Sequence, residues 1–222
     1  MITSPIPLFP LGLVLLPGAV VPLHIFEPRY RALLADVAAG TRCFGLITVP
    51  AGTAESELPA GRIGCIARVS AVDTLPDGRA NIVIEGGERF RFETYLEAGT
   101  PYRVGHVAAF DDAADDLSDL ARSGTALREL AARVISATMT IQDVRHELPV
   151  FNDDNAMLSF QIAPLLQLGD DVLYAVLAER SPVARLQRLD TVLRAGLDAL
   201  EAAAERHTRA KSNGHHYGPP PT

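Results

Sequence analysis

Residues 5–36 read PIPLFPLGLVLLPGAVVPLHIFEPRYRALLAD, and the fold turns on the nature of that run. With His24 neutral, no side chain in it is charged before Glu27, and from Tyr30 apolar residues return at helical spacing through Leu33, Leu34 and Val37. A secretory leader carries a basic n-region, whereas the first basic side chain here is Arg29. A membrane span needs roughly 20 uninterrupted apolar residues, and Pro10, Gly12, Pro17, Gly18 and Pro22 punctuate this stretch. What survives is a set of short extended pieces joined by turns and folded inward. Leu8, Phe9, Leu13, Val14, Leu23, Ile25 and Phe26 would each contribute roughly 1.5–3 kcal/mol on full burial. The run is expected to be core.

Composition bounds the rest. A chain of 222 residues, 48% hydrophobic and 21% charged, is ordinary for a globular protein of one large or two small domains. Its net charge of −7 is spread evenly, with 9 basic against 12 acidic residues in 1–112 and 11 against 15 in 113–222. Neither half is basic, which weighs against a nucleic-acid footprint. Cys43 and Cys65 share no metal or redox spacing, so a reduced, cytoplasmic protein is expected. The single lysine is Lys211, near the end of the chain. A Walker lysine and a Ser-Lys dyad are therefore absent from its body.

After the opening strands, Pro28 suits the first turn of a short helix that ends near Gly40. Residues 42–49 read as a deeply placed strand, and 50–61 as an exposed loop. A long strand is expected over 62–75, with Ile63, Cys65, Ala67, Val69 and Ala71 on one side. The turn Leu75-Pro76-Asp77-Gly78 follows, because proline presets φ and glycine tolerates a positive one. The return strand over 80–85 puts Ala80, Ile82 and Ile84 inward, and Gly86-Gly87 suggests a bulge or bend. Beyond it Phe90 and Phe92 face one side, with Arg89, Arg91 and Glu93 on the other. A last strand runs through Tyr102, Val104, His106, Ala108 and Phe110. Strands this dense, on hairpin-sized links, argue for a small, partly closed β-barrel. Near DDAADDLSD (111–119) period two gives way to 3.6. Leu120, Leu127, Val134 and Ile141 recur every seven, with Leu130 between them, in a helix ending near Gln142. Asp153 or Asp154 caps a second helix, Asp170 or Asp171 opens a third, and Ser181-Pro182 starts a fourth with the stripe Leu186, Leu189, Leu193, Leu197 and Leu200. The fold class is α+β, divided as barrel 1–112, helical bundle 113–208 and a disordered tail 209–222.

The opening run, the segment GRIGCIARVSAVDTLPDGRANIVIEGGERFRF (61–92) and the helical run 158–200 together resemble the N-terminal, substrate-binding domain of Lon proteases. The resemblance covers nearly all of the chain except the last dozen or so residues. It implies a PUA-like β pseudo-barrel followed by a C-terminal α-helical bundle. It also implies capture of unfolded or degron-bearing chains. With no body lysine, and with the sequence ending at Thr222, the ATPase and protease of full-length Lon are not expected, so a stand-alone, non-enzymatic module is the reading.

Chemical motifs are few. No GxSxG, CxxC or GxGxxG occurs, and His146-Glu147 lacks the second histidine of HExxH, since position 150 is Val. His24 and His106 read as packed or hydrogen-bonded structural histidines. His207, His215 and His216 belong to a solvated tail. The acidic pairs at 111–112, 115–116, 153–154 and 170–171 sit at helix starts, where capping explains them. Arg68, Arg79, Arg89, Arg91 and Arg103 alternate with carboxylates as a mixed solvated face. No cofactor and no metal are expected. If apolar side chains left uncovered bind polypeptides, the expected place is a groove where barrel meets helices, flanked by Phe26, Glu27, Arg29 and Tyr30 and by the linker around Phe151. Against this stands the reading that Phe26 and Tyr30 are core. Adaptor to a separate protease and holdase acting alone both stay open, with no membrane partner expected and the charge weighing against nucleic acid. Two rivals remain: an RNA-binding module built on the PUA-like barrel, and an enzyme using His24 or His106 with a carboxylate such as Glu27.

Overall fold

The computed structural model describes residues 5–144, 147–166 and 168–213. They fall into two compact units, one made of Met1–Ala113 with Ala163–Arg180, the other of Ala114–Ile162 with Ser181–Thr222. The class is α+β, a sheet followed by helices.

The first unit holds β1 (Ile6–Leu11), β2 (Val20–Ile25), α1 (Pro28–Ala38), β3 (Cys43–Thr48), β4 (Ile63–Thr74), β5 (Ala80–Leu96), β6 (Arg103–Ala109) and α2 (Asp170–Ala178). Strand β1 runs parallel to β3 and antiparallel to β6, β3 pairs with β4, β4 with β5, and the far half of β5 with β6. Five strands thus close into a ring, which removes their edges. Inside it Leu8, Ile47, Phe90, Phe92 and Val107 form a buried cluster. Strand β2 pairs only with the near half of β5, from Val20↔Glu85 to Ile25↔Ala80, and stands at the end of the sheet.

The expected turn is present: Gly78 N–H donates to Leu75 O at 2.9 Å, Gly78 has φ +79°, and Asp77 Oδ1 accepts Arg79 N–H. Gly86-Gly87 does not end a strand, because β5 runs through as one 17-residue element. The irregularity is in the pairing, which shifts between Ala67↔Gly86 and Cys65↔Arg89. Gly86 is required there, since a Cβ would sit 2.0 Å from Leu16 O. A second shift between Val69 and Ala71 turns Ala71 outward, against expectation. In β6 the inward residues are Gly105 and Val107, and His106 is half-buried on the alternate side. Residues 50–61 are not all loop: Glu55–Glu57 form a 3-10 turn and Leu58 is buried.

The opening run is core only in its first part. Leu8, Phe9, Val14, Leu15, Leu16 and Ile25 are buried, but Leu13 and Leu23 are half-buried and Phe26 is exposed. The end strand is covered on one face only, so alternate residues face outward.

Helix α2 lies with the sheet for a chemical reason. Arg89, expected on a solvated face, is 6% exposed. Its Nη1 donates to Leu177 O (2.7 Å) and Glu179 O (2.6 Å), and its Nη2 to Asp112 Oδ1. A cation at the C-terminal carbonyls of a helix is favoured twice over, by hydrogen bonds and by the helix dipole. Tyr174 adds a second tie, its hydroxyl accepting Ile63 N–H at 3.2 Å under the Arg62 guanidinium.

The second unit contains α3 (Leu117–Gln142), α4 (Asn155–Ile162) and α5 (Pro182–Asn213). Asp116 caps α3 by accepting Ser118 N–H and Asp119 N–H, and Asp143 ends it in a left-handed conformation. Leu127, Leu130 and Val134 are buried as the spacing predicts, while Leu120 and Ile141 are half-buried. Ser181 Oγ caps α5 through Ala184 N–H, and the Asp115 carboxylate accepts Val183 N–H. Leu186, Leu189, Leu193 and Leu197 form the buried stripe of α5. Arg185 is fully buried, donating to Ser159 Oγ and Ala156 O. Helix α5 includes residues 209–213, which were expected to be disordered, while residues 214–222 lie outside the described residues. Among the described residues no helix is long and apolar enough to cross a membrane.

Candidate functional site

Four of the five residues singled out for binding sit at the β2–α1 junction of the first unit. Pro28 occupies the first turn of α1 and Glu27 is its N-cap, with extended backbone and no side-chain capping bond. The Glu27 carboxylate turns instead to Arg29, whose Nε donates to Oε2 at 2.8 Å. Arg29 also grips Glu55 with both terminal nitrogens, at 2.6 and 2.8 Å. This fork-on-carboxylate geometry is the strong form of an ion pair. Tyr30 is buried, its ring 3.8 Å from that of Phe9, and its hydroxyl lies within reach of Pro10 O (3.2 Å) and Glu55 Oε1 (3.4 Å). Burial and the Glu55 charge push the Tyr30 phenol well above its ordinary value, so it is a neutral donor. Tyr95 O–H closes the knot by donating to Glu55 O at 2.6 Å.

Glu55 is thus the hub of the cluster, and the sequence carried no signal for it. It is one acidic residue in a small, polar, aperiodic stretch, and only the fold brings it to Arg29. Tyr30 is core. Phe26, by contrast, is 60% exposed, held outward just ahead of the pinned helix start. Phe151 belongs to the other unit, half-buried in the segment before α4.

Along β2 the exposed residues alternate: Val20, Pro22 and His24 face out, and Phe26 follows at the same spacing. Val20 is 66% exposed. His24 Nδ1 meets Asn81 Oδ1 at 2.8 Å, and the ring stacks on Phe26 with centroids 6.1 Å apart. His24 is hydrogen-bonded but exposed rather than packed, and its partner is an amide rather than a carboxylate. The result is a mainly apolar ridge on a sheet-end strand, followed in the chain by the Glu27–Arg29–Glu55 cluster. Pro22 has no N–H to offer along that edge, which suits an end strand.

Several other chemistry-bearing groups among the described residues have structural partners. Asp154 Oδ1 accepts Ala156 N–H at the start of α4, and Asp170 and Asp171 lie in the first turn of α2. His207 Nε2 pairs with Asp143 Oδ1 at 2.9 Å, and Lys211 reaches the same carboxylate. His146, His215 and His216 lie outside the described residues. Cys65 is buried, and burial pushes its thiol up to about 12, which leaves it a poor nucleophile. Among the described residues no group of three or more His, Cys, Asp or Glu side chains is placed to hold a metal ion.

This ridge on a closed sheet is carried by a fold with known relatives. The crystal structure of a Lon N-terminal domain protein from Xanthomonas campestris is similar at a TM-score of 0.60 and 27% identity, covering 84% of this chain and 97% of that one. The N-terminal domain of the Mycobacterium avium complex Lon protease shares the fold at a TM-score of 0.65 and 17% identity, over 86% of this chain and 98% of that one. In sequence, Lon protease 4 of Sorangium cellulosum is 33% identical over 95% of this chain, and the Lon protease of Cytophaga hutchinsonii 23% over the same share. The chain spans about a quarter of the length of these curated relatives, 25% and 26% respectively. Residues 5–194 match the family described as the ATP-dependent protease La (LON) substrate-binding domain, and the chain belongs to that family.

Proposed function

We propose that this chain is a non-enzymatic polypeptide-binding module, and that the β2 ridge of Val20 and Phe26 is a contact surface for exposed apolar segments of other chains. The observation that carries this is the exposure of Phe26, 60% open, in line along the chain with Val20, 66% open. Exposed apolar side chains grouped on one surface mark a contact site. The family supports the substrate class, since its description is a substrate-binding domain. Whether the captured chain is passed to a separate protease or simply held is open to both the adaptor and the holdase reading. Phe151 is proposed as a further contact from the second unit.

The test is fluorescence anisotropy with a permanently unfolded client, reduced and carboxymethylated α-lactalbumin. Loss of a buried aromatic contact is worth about 1.5–3 kcal/mol, so Phe26→Ser is expected to weaken binding by about 10-fold or more. Its thermal midpoint should stay within a degree or two of the wild type, because the side chain is already exposed. Failure of the wild type to bind the client, or equal binding by Phe26→Ser, overturns the assignment.

A further inference from the structure

On the other side of α1 from the ion-pair knot, the helix and the β4–β5 hairpin enclose a groove of about 400 Å³. Its walls are apolar, formed by Leu34 and Val37 of the helix and Val69, Val72 and Ala80 of the strands. Val72, paired with Ile82, is 44% exposed in the outer part of β4, where residues 70–74 are all exposed. Two arginines, Arg31 and Arg42, also line the groove, and no carboxylate does.

In the same unit Arg29, Arg79, Arg89 and Arg91 each face a carboxylate, whereas the exposed Arg31 and Arg42, like Arg62, Arg68 and Arg103, form no ion pair among the described residues. Neither Arg31 nor Arg42 takes part in an ion pair or a side-chain hydrogen bond among the described residues. Both are nonetheless positioned. Arg31 lies against the hairpin turn so closely that a Cβ on Gly78 would sit 2.2 Å from its Nη2. Arg42 is held in the left-handed region at φ +56°, with its N–H donating to Val37 O and its O accepting Val69 N–H. Two exposed guanidiniums without a carboxylate partner thus stand beside an apolar floor.

We infer that this groove binds a peptide segment in which an apolar side chain is flanked by carboxylates, so that acidic-apolar sequence is what the module selects. The inference rests on the polypeptide-binding reading above and adds a substrate class at a second place on the first unit. Aliphatic walls receive a leucine-sized side chain, and each guanidinium takes a carboxylate in a charge-assisted pair. A nucleic-acid strand would also satisfy the cations. No aromatic ring lines the groove to stack a base, however, and such stacking is what holds single strands in this kind of site.

The experiment compares two labelled eight-residue peptides, one with Leu-Leu between two aspartates and one with asparagines in their place, by anisotropy on the full chain. The aspartate peptide is expected to bind at least tenfold more tightly, with an advantage that shrinks as salt is raised. Arg31→Gln/Arg42→Gly should erase that preference without loss of thermal midpoint, since glycine suits the positive φ at position 42. Arg31→Glu/Arg42→Glu should reverse it, favouring a twin peptide with lysines. Equal binding of both peptides, or a preference untouched by the arginine variants, overturns the inference. So does displacement of the aspartate peptide by a 12-mer of oligouridylate at equal concentration. The unfolded client, titrated in the same buffer, separates the two claims. If it binds while the peptides do not, only the groove assignment fails; if it does not bind either, both fail.

Discussion

Arg89 shows what a single side chain does when the fold gives it partners that its strand position does not announce. From alternation it belongs with Arg91 and Glu93 on a wet face; in the fold it is sealed beneath the end of α2 with three oxygens around it. Removing one partner of a buried charge pair costs about 3–5 kcal/mol. Arg89→Ala should therefore lower the unfolding free energy by about that much in urea titrations. Arg89→Lys should recover only part of it, because an ammonium cannot cover the fork's positions. A midpoint unchanged by Arg89→Ala would show that the clasp contributes nothing. Neutral groups that burial keeps protonated contribute to an alkaline limit, Cys65 and Tyr102 among them. The Cys65 thiol is pushed by burial from 9.0 to about 12, and the Tyr102 phenol, by burial and then by its bond to Asp36, from 10.0 to about 12. A raised pKa in the folded state means that the folded chain keeps a proton the unfolded chain has lost. The associated stability is intact below pH 9 and drains away as pH climbs toward 12. Thermal midpoints measured across that window should fall, and Cys65→Ala should make the fall shallower.

At the level of elements, β5 is the strand on which the sheet depends. Its near half carries β2 and its far half carries β6, and the change of neighbour occurs around Gly86. There the chain before β2 crosses so closely that Gly86 N–H donates to Ala19 O and Gly18 N–H to Gly86 O, at 2.9 and 2.7 Å. Gly86→Ala forces a Cβ into the Leu16 carbonyl. It is expected to cost more than about 2 kcal/mol, a severe value for one methyl group and one that belongs to backbone overlap. Equilibrium unfolding checks it, and a cost under about 0.5 kcal/mol would mean that the crossing is loose. Helix starts were far more legible than this crossing. Pro28, Asp116 and Ser181-Pro182 mark theirs through local chemistry, the missing proline N–H or an oxygen aimed at free N–H groups.

For the molecule as a whole, the first unit is not continuous in sequence. A boundary read from the change of period falls near residue 112, yet Ala163–Arg180 group with the sheet. The contacts of α2 say why: Arg89 and Tyr174 anchor it from opposite ends of its chemistry, one by a cation at its carbonyls, the other by a hydroxyl accepting a strand N–H. A fragment ending at residue 113 would leave Arg89 without Leu177 O and Glu179 O. It is expected to unfold cooperatively at a markedly lower temperature than the whole chain, or to fail to fold, and calorimetry of the two decides. An equal midpoint would make α2 dispensable to the sheet.

Local chemistry and periodicity alone determined the α+β class, the density of strands before residue 112, the Pro76–Gly78 turn and the helix caps, because each is encoded within a few neighbouring residues. Tertiary structure decided the remainder. Phe26 reads from sequence both as core and as a binding flank, because nothing local distinguishes a strand inside a sheet from one at its end; β2 pairs with β5 at the end of the sheet, and Phe26 is exposed. Glu55 became the partner of Arg29, and Arg31 and Arg42 came to share one apolar groove, through approaches between residues far apart in the chain. Charge and burial of that kind are properties of distance in space, which hydrophobic pattern does not record.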